Sequence, residues 1–182
     1  MPTSDREGKE WARDVIARLA PSVVVDVGPG EGTYVHLARD VTPDGCRWIG
    51  VEAWAPYISE YGLFDAYDWV VVSDIRHLDP YTLVRDPDLV ILADVLEHMS
   101  QLEARGVLAR MKDWAHNILV SVPLAHHDQG AEGGNWFEIH REHWSSREMR
   151  KELGAGLVDA REGDVLGYYL WSAEKAARGG RR

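Results

Sequence analysis

The stretch from Val23 to Thr33 restricts the fold of this chain more than any other. It begins with valines interrupted only by Asp26, a run too short for a helix and typical of a buried parallel strand. Gly28, Gly30 and Gly32 follow, and then residues compatible with a helix. Glycine adopts positive φ and lacks a Cβ, so a ligand can approach the backbone closely. The stretch therefore predicts a strand, a tight turn and a helix N-terminus with free N–H groups. Open α/β sheets bind nucleotide-like ligands in such a crevice.

The spacing of the glycines distinguishes two kinds of ligand. A dinucleotide-binding turn follows G-x-G-x-x-G/A and would place a small residue where this chain has Thr33. The pattern Asp-x-Gly-x-Gly-x-Gly resembles instead the first motif of class I S-adenosylmethionine-dependent methyltransferases. A nicotinamide cofactor, or a glycine turn without a ligand, stays open on this motif alone. The resemblance implies that S-adenosylmethionine is the cofactor and that it contacts this motif at Asp26, Gly28, Pro29, Gly30, Gly32 and Thr33.

Three further motifs follow the predicted second, third and fourth strands. Glu52 ends the second strand at a distance from Gly28 that suits an acid accepting the ribose hydroxyls. In the family that the chain resembles, Asp74 matches the acid that binds the adenine amine, and Ile75 matches the residue that packs on the ring. The string from Asp94 to His98 closely resembles the fourth motif of small-molecule methyltransferases. The resemblance adds to the cofactor site Glu52, Ala53, Ser73, Asp74, Ile75, Ala93, Asp94 and Val95.

The order of predicted elements is similar to the seven-stranded methyltransferase core. We expect a Rossmann-like, doubly wound α/β sheet of seven strands, mostly parallel with an antiparallel last strand and helices on both faces. Residues 1–177 form this single domain, and the Gly/Arg-rich residues 178–182 form a disordered tail. An N-terminal helix spans 4–20. Capping boxes open this helix and two later ones, at Ser4 and Glu7, Ser100 and Glu103, and Ser145 and Glu148.

Residues 124–144 depart from this pattern and are called the lid segment below. They carry four histidines, two tryptophans and three glycines. A loop of this length is usually functional or disordered, and disordered segments are poor in aromatic residues. We therefore predict a partly mobile lid over the acceptor pocket.

The catalytic candidates follow the fourth strand or lie in the lid segment. The cofactor supplies an activated methyl group, so the protein must align the acceptor and exclude water. For a hydroxyl acceptor, a general base adds about 10²–10⁴-fold to the rate. His98 is the first candidate, because an unperturbed imidazole titrates near neutrality, and a histidine that only shapes the turn is the alternative. Glu97 and His140 are the further catalytic candidates, and His143 is weighed beside His140.

A metal site is an alternative use of the histidines in the lid segment. His126, His127 and Asp128, or Glu138 with His140, offer ligands for a divalent ion. Adjacent histidines in a strained loop rarely point the same way. We therefore predict no metal.

Charge and cysteine content narrow the function further. The net charge of −10 argues against wide contact with nucleic acid or an anionic membrane. The single Cys46 excludes an internal disulfide, and no stretch suits a membrane span or a secretory leader, so we expect a cytoplasmic protein.

We expect an S-adenosylmethionine-dependent methyltransferase that acts on an oxygen or nitrogen of a small polar metabolite. The alternatives are a catalytically silent module that binds adenosylmethionine, an RNA or protein methyltransferase, and a nicotinamide enzyme. The sequence leaves open whether the chain acts alone or as a homodimer.

Overall fold

The computed structural model describes residues 6–125, 128–131 and 133–179. Seven strands form one sheet in the order β3-β2-β1-β4-β5-β7-β6. β1 to β5 are parallel, and β7 runs antiparallel to both β5 and β6. The predicted Rossmann-like sheet with an antiparallel last strand is confirmed. The strands are β1 Val23–Val27, β2 Arg47–Glu52, β3 Trp69–Val72, β4 Leu89–Ala93, β5 Asn117–Pro123, β6 Leu157–Glu162 and β7 Leu166–Ser172.

Helices cover both faces of this sheet. Alternate residues of β1 and β4 belong to opposite apolar clusters, as expected for central strands that are buried on both sides. Val25 and Val90 pack in the cluster that includes the helix Gln101–Trp114, whereas Val24 and Leu89 pack in the cluster that includes the helix Lys9–Leu19. The helices are α1 Lys9–Leu19, α2 Thr33–Ala38, α3 Pro56–Glu60, α4 Leu63–Ala66, α5 Gln101–Trp114, α6 Ser146–Leu153 and α7 Ala173–Gly179.

The strand register brings the carboxyl ends of the parallel strands to one edge. Val27 pairs with Val51 of β2 and with Leu92 of β4, so the three strands end at the same level. Glu52 likewise pairs with Val72 of β3. The residues that follow these strands therefore meet at one edge of the sheet, as the sequence predicted.

The predicted capping boxes at Ser100 and at Ser145 are confirmed. Ser100 accepts the N–H of Glu103 and Glu103 accepts the N–H of Ser100, which opens α5. Ser145 and Glu148 make the same pair of bonds at the start of α6. Each box satisfies N–H groups that the first helical turn leaves without partners.

The N-terminal helix differs from the prediction. It begins at Lys9, after Gly8 at φ 76°, rather than at residue 4. Ser4 of the predicted capping box lies outside the described residues. The Glu7 carboxylate accepts the N–H groups of the β6–β7 turn, and these bonds lower its pKa. A local sequence motif could not show this partner, because the turn is distant along the chain. The N–H groups are those of Asp164, Val165 and Leu166, at 2.9, 2.8 and 2.7 Å.

The C-terminal end of the described chain also differs. Residues 178 and 179, predicted to belong to a disordered tail, end α7. The segment is rich in alanine, and Glu174 pairs with Arg178 one helical turn later, both of which favour a helix. Residues 180–182 lie outside the described part of the chain. Of the helices that the structure describes, none is both long and apolar enough to cross a membrane.

Candidate functional site

A cavity of about 610 Å³ lies at the carboxyl ends of the parallel strands. Its volume is typical of pockets that hold a small molecule or a cofactor. The structure brings most of the predicted site residues together in its lining. These are Gly28, Pro29, Gly30, Thr33, Glu52, Ala53, Ser73, Asp74, Ile75, Ala93, Asp94, Val95, Glu97, His98 and His140.

The glycine turn forms one wall of this cavity. Gly28, Gly30 and Gly32 all have positive φ, which residues with side chains rarely adopt. A Cβ on Gly28 would lie 2.9 Å from the side chain of Val95, which follows β4. Glycine at this position therefore permits both the turn and the close approach of the neighbouring strand. Gly32 precedes α2 and lies outside the lining, and its contact with the cofactor stays a prediction.

Asp26 lies behind the glycine turn and outside the cavity lining. Its side chain is 1% exposed, and the Tyr67 hydroxyl donates a 2.6 Å hydrogen bond to it. Burial raises the pKa of Asp26 to about 7. The structure thus places Asp26 behind the cavity wall, and its contact with the cofactor stays a prediction. Side chains along a strand alternate between the two faces of the sheet. The Asp26 carboxyl group therefore lies on the face that carries Val24 and Tyr67.

Glu52 occupies the centre of the wall formed by β2. Its side chain is 5% exposed, and Oε1 accepts the Trp54 N–H at 2.7 Å. Burial raises its pKa to about 7, although N–H groups of Trp54, Gly30 and Ala53 oppose that rise. The carboxyl group is thus fixed by the backbone and directed at the cavity, where it can accept hydrogen bonds from hydroxyl groups.

Asp74 follows β3 and shares the cavity wall with Ile75. Arg76 donates to both carboxylate oxygens of Asp74, at 2.7 to 3.0 Å, and also to Glu103 at 3.1 Å. Burial raises the pKa of Asp74, but the hydrogen bonds from Arg76 outweigh burial and the net shift is downward. Asp74 is therefore an anion oriented by Arg76. The sequence motif did not predict the pairing of Arg76 with Asp74. Side chains two residues apart meet only when the backbone turns between them, and the motif does not specify that turn.

The chain leaves β4 through a strained residue. Asp94 has φ 54°, in the left-handed region that residues other than glycine rarely adopt, although aspartate tolerates it better than most. Such strain typically costs about 1–3 kcal/mol and is found mainly at functional sites. The Ser121 hydroxyl donates to Asp94 Oδ1 at 2.8 Å and helps to hold it. This bend is followed by a 3-10 turn, Leu96–His98, which brings Glu97 and His98 to the cavity.

Glu97, His98 and His140 form a compact cluster. One ligand atom from each lies within 4.8 Å of those of the other two. The rings of His98 and His140 have centroids 5.0 Å apart. The three predicted catalytic residues are therefore neighbours, although His140 comes from a distant part of the sequence. His143 instead lines a smaller cavity of about 140 Å³, which shares Glu97 and His140 with the main one.

The electrostatics of this cluster differ from those expected of a free histidine. Burial, and next the neighbouring His140, lower the pKa of His98 to about 4. The ring is neutral near pH 7 and is a weaker base than the sequence suggested, because its surroundings are dry. Burial raises the pKa of Glu97 well above the usual range. Glu97 is 2% exposed, and among the described residues neither carboxyl oxygen has a hydrogen-bond partner.

The lid segment covers the cavity in its described parts. Arg141 and Glu142 donate their N–H groups to the Glu97 carbonyl at 2.8 and 3.1 Å, and Trp144 is fully buried. These contacts fix the C-terminal part of the segment to the turn after β4. Its mobility stays a prediction, and His126 and His127 lie outside the described residues. Lid residues in the lining are Ala125, Gln129, Asn135, Phe137, Glu138 and His140.

The lid segment supplies residues that sequence reasoning missed. Asn135 is buried, accepts the Phe137 N–H at 2.9 Å and interacts with Tyr57 of α3, which also lines the cavity. Glu138, which the sequence offered only as a metal ligand with His140, interacts with Tyr57 and with Glu52. The sequence carries no periodic signal for these contacts, since they depend on how an irregular loop folds over the sheet.

Comparison with known proteins gives a result at the level of structure. No family model and no curated protein matches the sequence. The N-terminal domain of EvdMO1, solved in the presence of SAH and D-fucose, has a TM-score of 0.66 and 12% identity over 94% of this chain and 84% of that one. Magnesium protoporphyrin IX methyltransferase from Synechocystis PCC 6803 with bound SAM has a TM-score of 0.62 and 19% identity over 90% of this chain and 78% of that one. The small RNA methyltransferase HEN1 has a TM-score of 0.70 and 15% identity over 94% of this chain but 26% of that one. The chain therefore has the fold of the class I methyltransferases.

Proposed function

We propose that this protein is an S-adenosylmethionine-dependent methyltransferase that acts on a small polar acceptor. The observation that carries the proposal is the cavity at the sheet edge, which joins the glycine turn to the Glu52 carboxyl group. Structures of the same fold hold SAH or SAM, which supports the choice of cofactor.

The lining suggests one orientation for the cofactor. The amino-acid end would lie against the backbone at Gly28 and Gly30, where no side chain blocks its approach. Glu52 would accept the ribose hydroxyls, and the adenine would lie between Ile75 and the Asp74 carboxylate. The sulfonium methyl would then be directed toward the end of β4, where the cluster of Glu97, His98 and His140 lies.

Methyl transfer needs little covalent chemistry from the protein. A lone pair on the acceptor oxygen or nitrogen forms a bond to the methyl carbon, and the C–S bond breaks with its electron pair returning to sulfur. S-adenosylhomocysteine leaves, and the proton of the acceptor passes to a base of the site or to water. The protein contributes by aligning the two reactants and by excluding water, and alignment alone can contribute several kcal/mol.

The residues on the acceptor side would be Glu97, His98 and His140, which we propose as the catalytic group. At pH 7 a histidine with a pKa of about 4 accepts a proton weakly. His98 therefore suits the positioning of an acceptor better than the removal of its proton. The lid segment would cover the acceptor and separate the reaction from water.

The acceptor class follows from charge and from the enclosure of the site. The net charge of −10 disfavours a polyanion such as RNA. Lid residues form part of the cavity wall, and a cavity of about 610 Å³ suits a small molecule better than a long polymer. The fold also serves RNA methylation, as the name of one structural neighbour shows, so the experiment below includes that outcome.

Calorimetry with S-adenosylhomocysteine tests the cofactor. We expect saturable one-to-one binding, at least tenfold weaker in Glu52→Gln and unchanged in the surface control Glu10→Gln. Absence of binding, or equal affinity in Glu52→Gln, would overturn the proposal. Transfer of a labelled methyl group is then followed in a cell extract divided into small-molecule, RNA and protein fractions. Label that appears only in RNA or protein would contradict the small-molecule assignment.

A further inference from the structure

We propose that Glu97, His98 and His140 bind one divalent transition-metal ion at the acceptor side of the cavity. No metal is expected from the sequence, which offers ligands only within the lid segment, as adjacent histidines or as Glu138 with His140. The structure instead brings together ligands from two separate segments, the turn after β4 and the lid segment.

The ligand types support a transition metal. Two imidazole nitrogens and one carboxylate oxygen are a set that zinc, iron, cobalt and manganese accept. Their ligand atoms lie within 4.8 Å of one another. Nitrogen ligands about 2.0–2.1 Å from one ion must lie closer to one another than 4.8 Å. The three side chains would therefore rotate toward the ion when it binds.

Glu97 is the strongest single indication. Its side chain is 2% exposed, lines the cavity and has no hydrogen-bond partner for either oxygen among the described residues. A buried polar group without a partner costs free energy, and proteins rarely retain one without a function. A cation beside Glu97 would supply the missing partner, and the two histidines are the neighbours placed to share it.

His98 has the hydrogen bond that metal-binding histidines usually have. Its Nδ1 lies 3.3 Å from the Ile139 carbonyl oxygen, which can only accept, so Nδ1 carries the proton. Nε2 then presents a lone pair. In metal sites the second ring nitrogen typically donates to a carbonyl or carboxylate in this way, which fixes the orientation of the ring.

The backbone holds the two ligand segments together. The carbonyl of Glu97 accepts the N–H groups of Arg141 and Glu142, directly after His140. The His140 N–H in turn donates to the Gln129 carbonyl at 3.0 Å. These bonds fix His140 beside the turn that carries Glu97 and His98, so the cluster does not depend on long flexible side chains alone.

The position of the ion would deepen the proposed function, on which this step rests. Three protein ligands leave open coordination positions, and Glu97, His98 and His140 all line the main cavity. An oxygen of the acceptor can occupy one of them, which orients it toward the methyl group. Because a coordinated oxygen keeps a lone pair for methyl transfer and a coordinated amine nitrogen does not, the metal favours an oxygen acceptor over a nitrogen acceptor.

Titration with Co²⁺ alone tests the site. After treatment with a chelator, the protein should bind one Co²⁺ with visible absorption bands and a calorimetric signal. We expect binding to weaken at least tenfold in Glu97→Gln, His98→Ala and His140→Asn, and to be unchanged in the surface control His116→Ala. Mn²⁺, Zn²⁺ and Mg²⁺ are titrated beside it, and Mg²⁺ should bind most weakly.

Several results would overturn the metal site. The first is the absence of saturable Co²⁺ binding. The second is an affinity in all three ligand variants equal to that of the wild type. The third is loss of binding in His126→Ala or His127→Ala instead. Circular dichroism establishes that each variant is folded, and Glu97→Gln keeps the shape of the side chain. Binding of S-adenosylhomocysteine is measured without metal in the same samples. If Co²⁺ binds and S-adenosylhomocysteine does not, the proposed function fails and the metal site stands; the reverse result removes the metal site alone.

Discussion

Glu52 should make cofactor binding depend on pH near neutrality. Its burial raises the pKa to about 7, so the side chain is partly protonated under physiological conditions. Ribose hydroxyls donate hydrogen bonds, and the charged carboxylate is the better acceptor. Binding should therefore select the ionised form, lower the pKa of Glu52 and release a proton.

The size of the effect follows from the pKa. With a pKa of about 7, the ionised fraction rises from about one tenth at pH 6 to about nine tenths at pH 8. If only the ionised form binds, the apparent Kd for S-adenosylhomocysteine falls about tenfold over this range, or about 1.4 kcal/mol. At pH 6 nearly one proton should be released for each ligand bound.

Calorimetry in two buffers with different ionisation enthalpies measures both quantities. Glu52→Gln should bind weakly and without this dependence on pH. Asp26→Asn is the matched control, because Asp26 has a similar pKa but lies outside the cavity lining. Asp26→Asn should retain most of the pH dependence of S-adenosylhomocysteine binding. Affinity that falls as the pH rises, or an unchanged slope in Glu52→Gln, would refute this account of the carboxyl group.

Three further predictions concern stability. Asp26 binds its proton more tightly in the folded protein, so the free energy of unfolding falls as the pH rises through 7. When the pH is raised from 5.5 to 8, melting curves should show the unfolding free energy of Asp26→Asn increasing by about 2 kcal/mol relative to that of the wild type. An equal difference at both pH values would contradict this. Gly156→Ala would place a Cβ 1.9 Å from the buried Trp171 ring and should cost about 1–3 kcal/mol in urea unfolding. Gly106→Ala, in open space within α5, should instead stabilise by about 0.5–1 kcal/mol, and a similar loss in both would refute the packing argument. Ser100→Ala should lower the unfolding free energy by about 1 kcal/mol, and no change would show that the cap is replaced by water.

The sheet and the cofactor edge could be predicted because both follow from local patterns. The valine run forms β1, the glycines follow its carboxyl end and Glu52 ends β2, and parallel strands bring those ends together. The direction of Asp26 could not be predicted in the same way. β1 is buried on both faces, so its sequence does not show which face each side chain takes.

Contacts between distant segments were beyond the sequence patterns. The partners of Glu7 lie in the β6–β7 turn, and the position of His140 beside Glu97 depends on the fold of the lid segment. Long irregular loops carry no periodicity from which such contacts can be inferred. The catalytic candidates were therefore predicted as separate residues, and the structure shows them as a cluster.

The strand order has a consequence for the synthesis of the protein. β7 lies between β5 and β6, although it is made after both. While the ribosome is still translating the residues before Leu166, the edge of β5 exposes unpaired backbone groups and β6 has no neighbour in the sheet. Completion of the sheet must then wait for one late segment, Leu166–Ser172. The emerging chain is open to wrong pairing or chaperone capture during that interval.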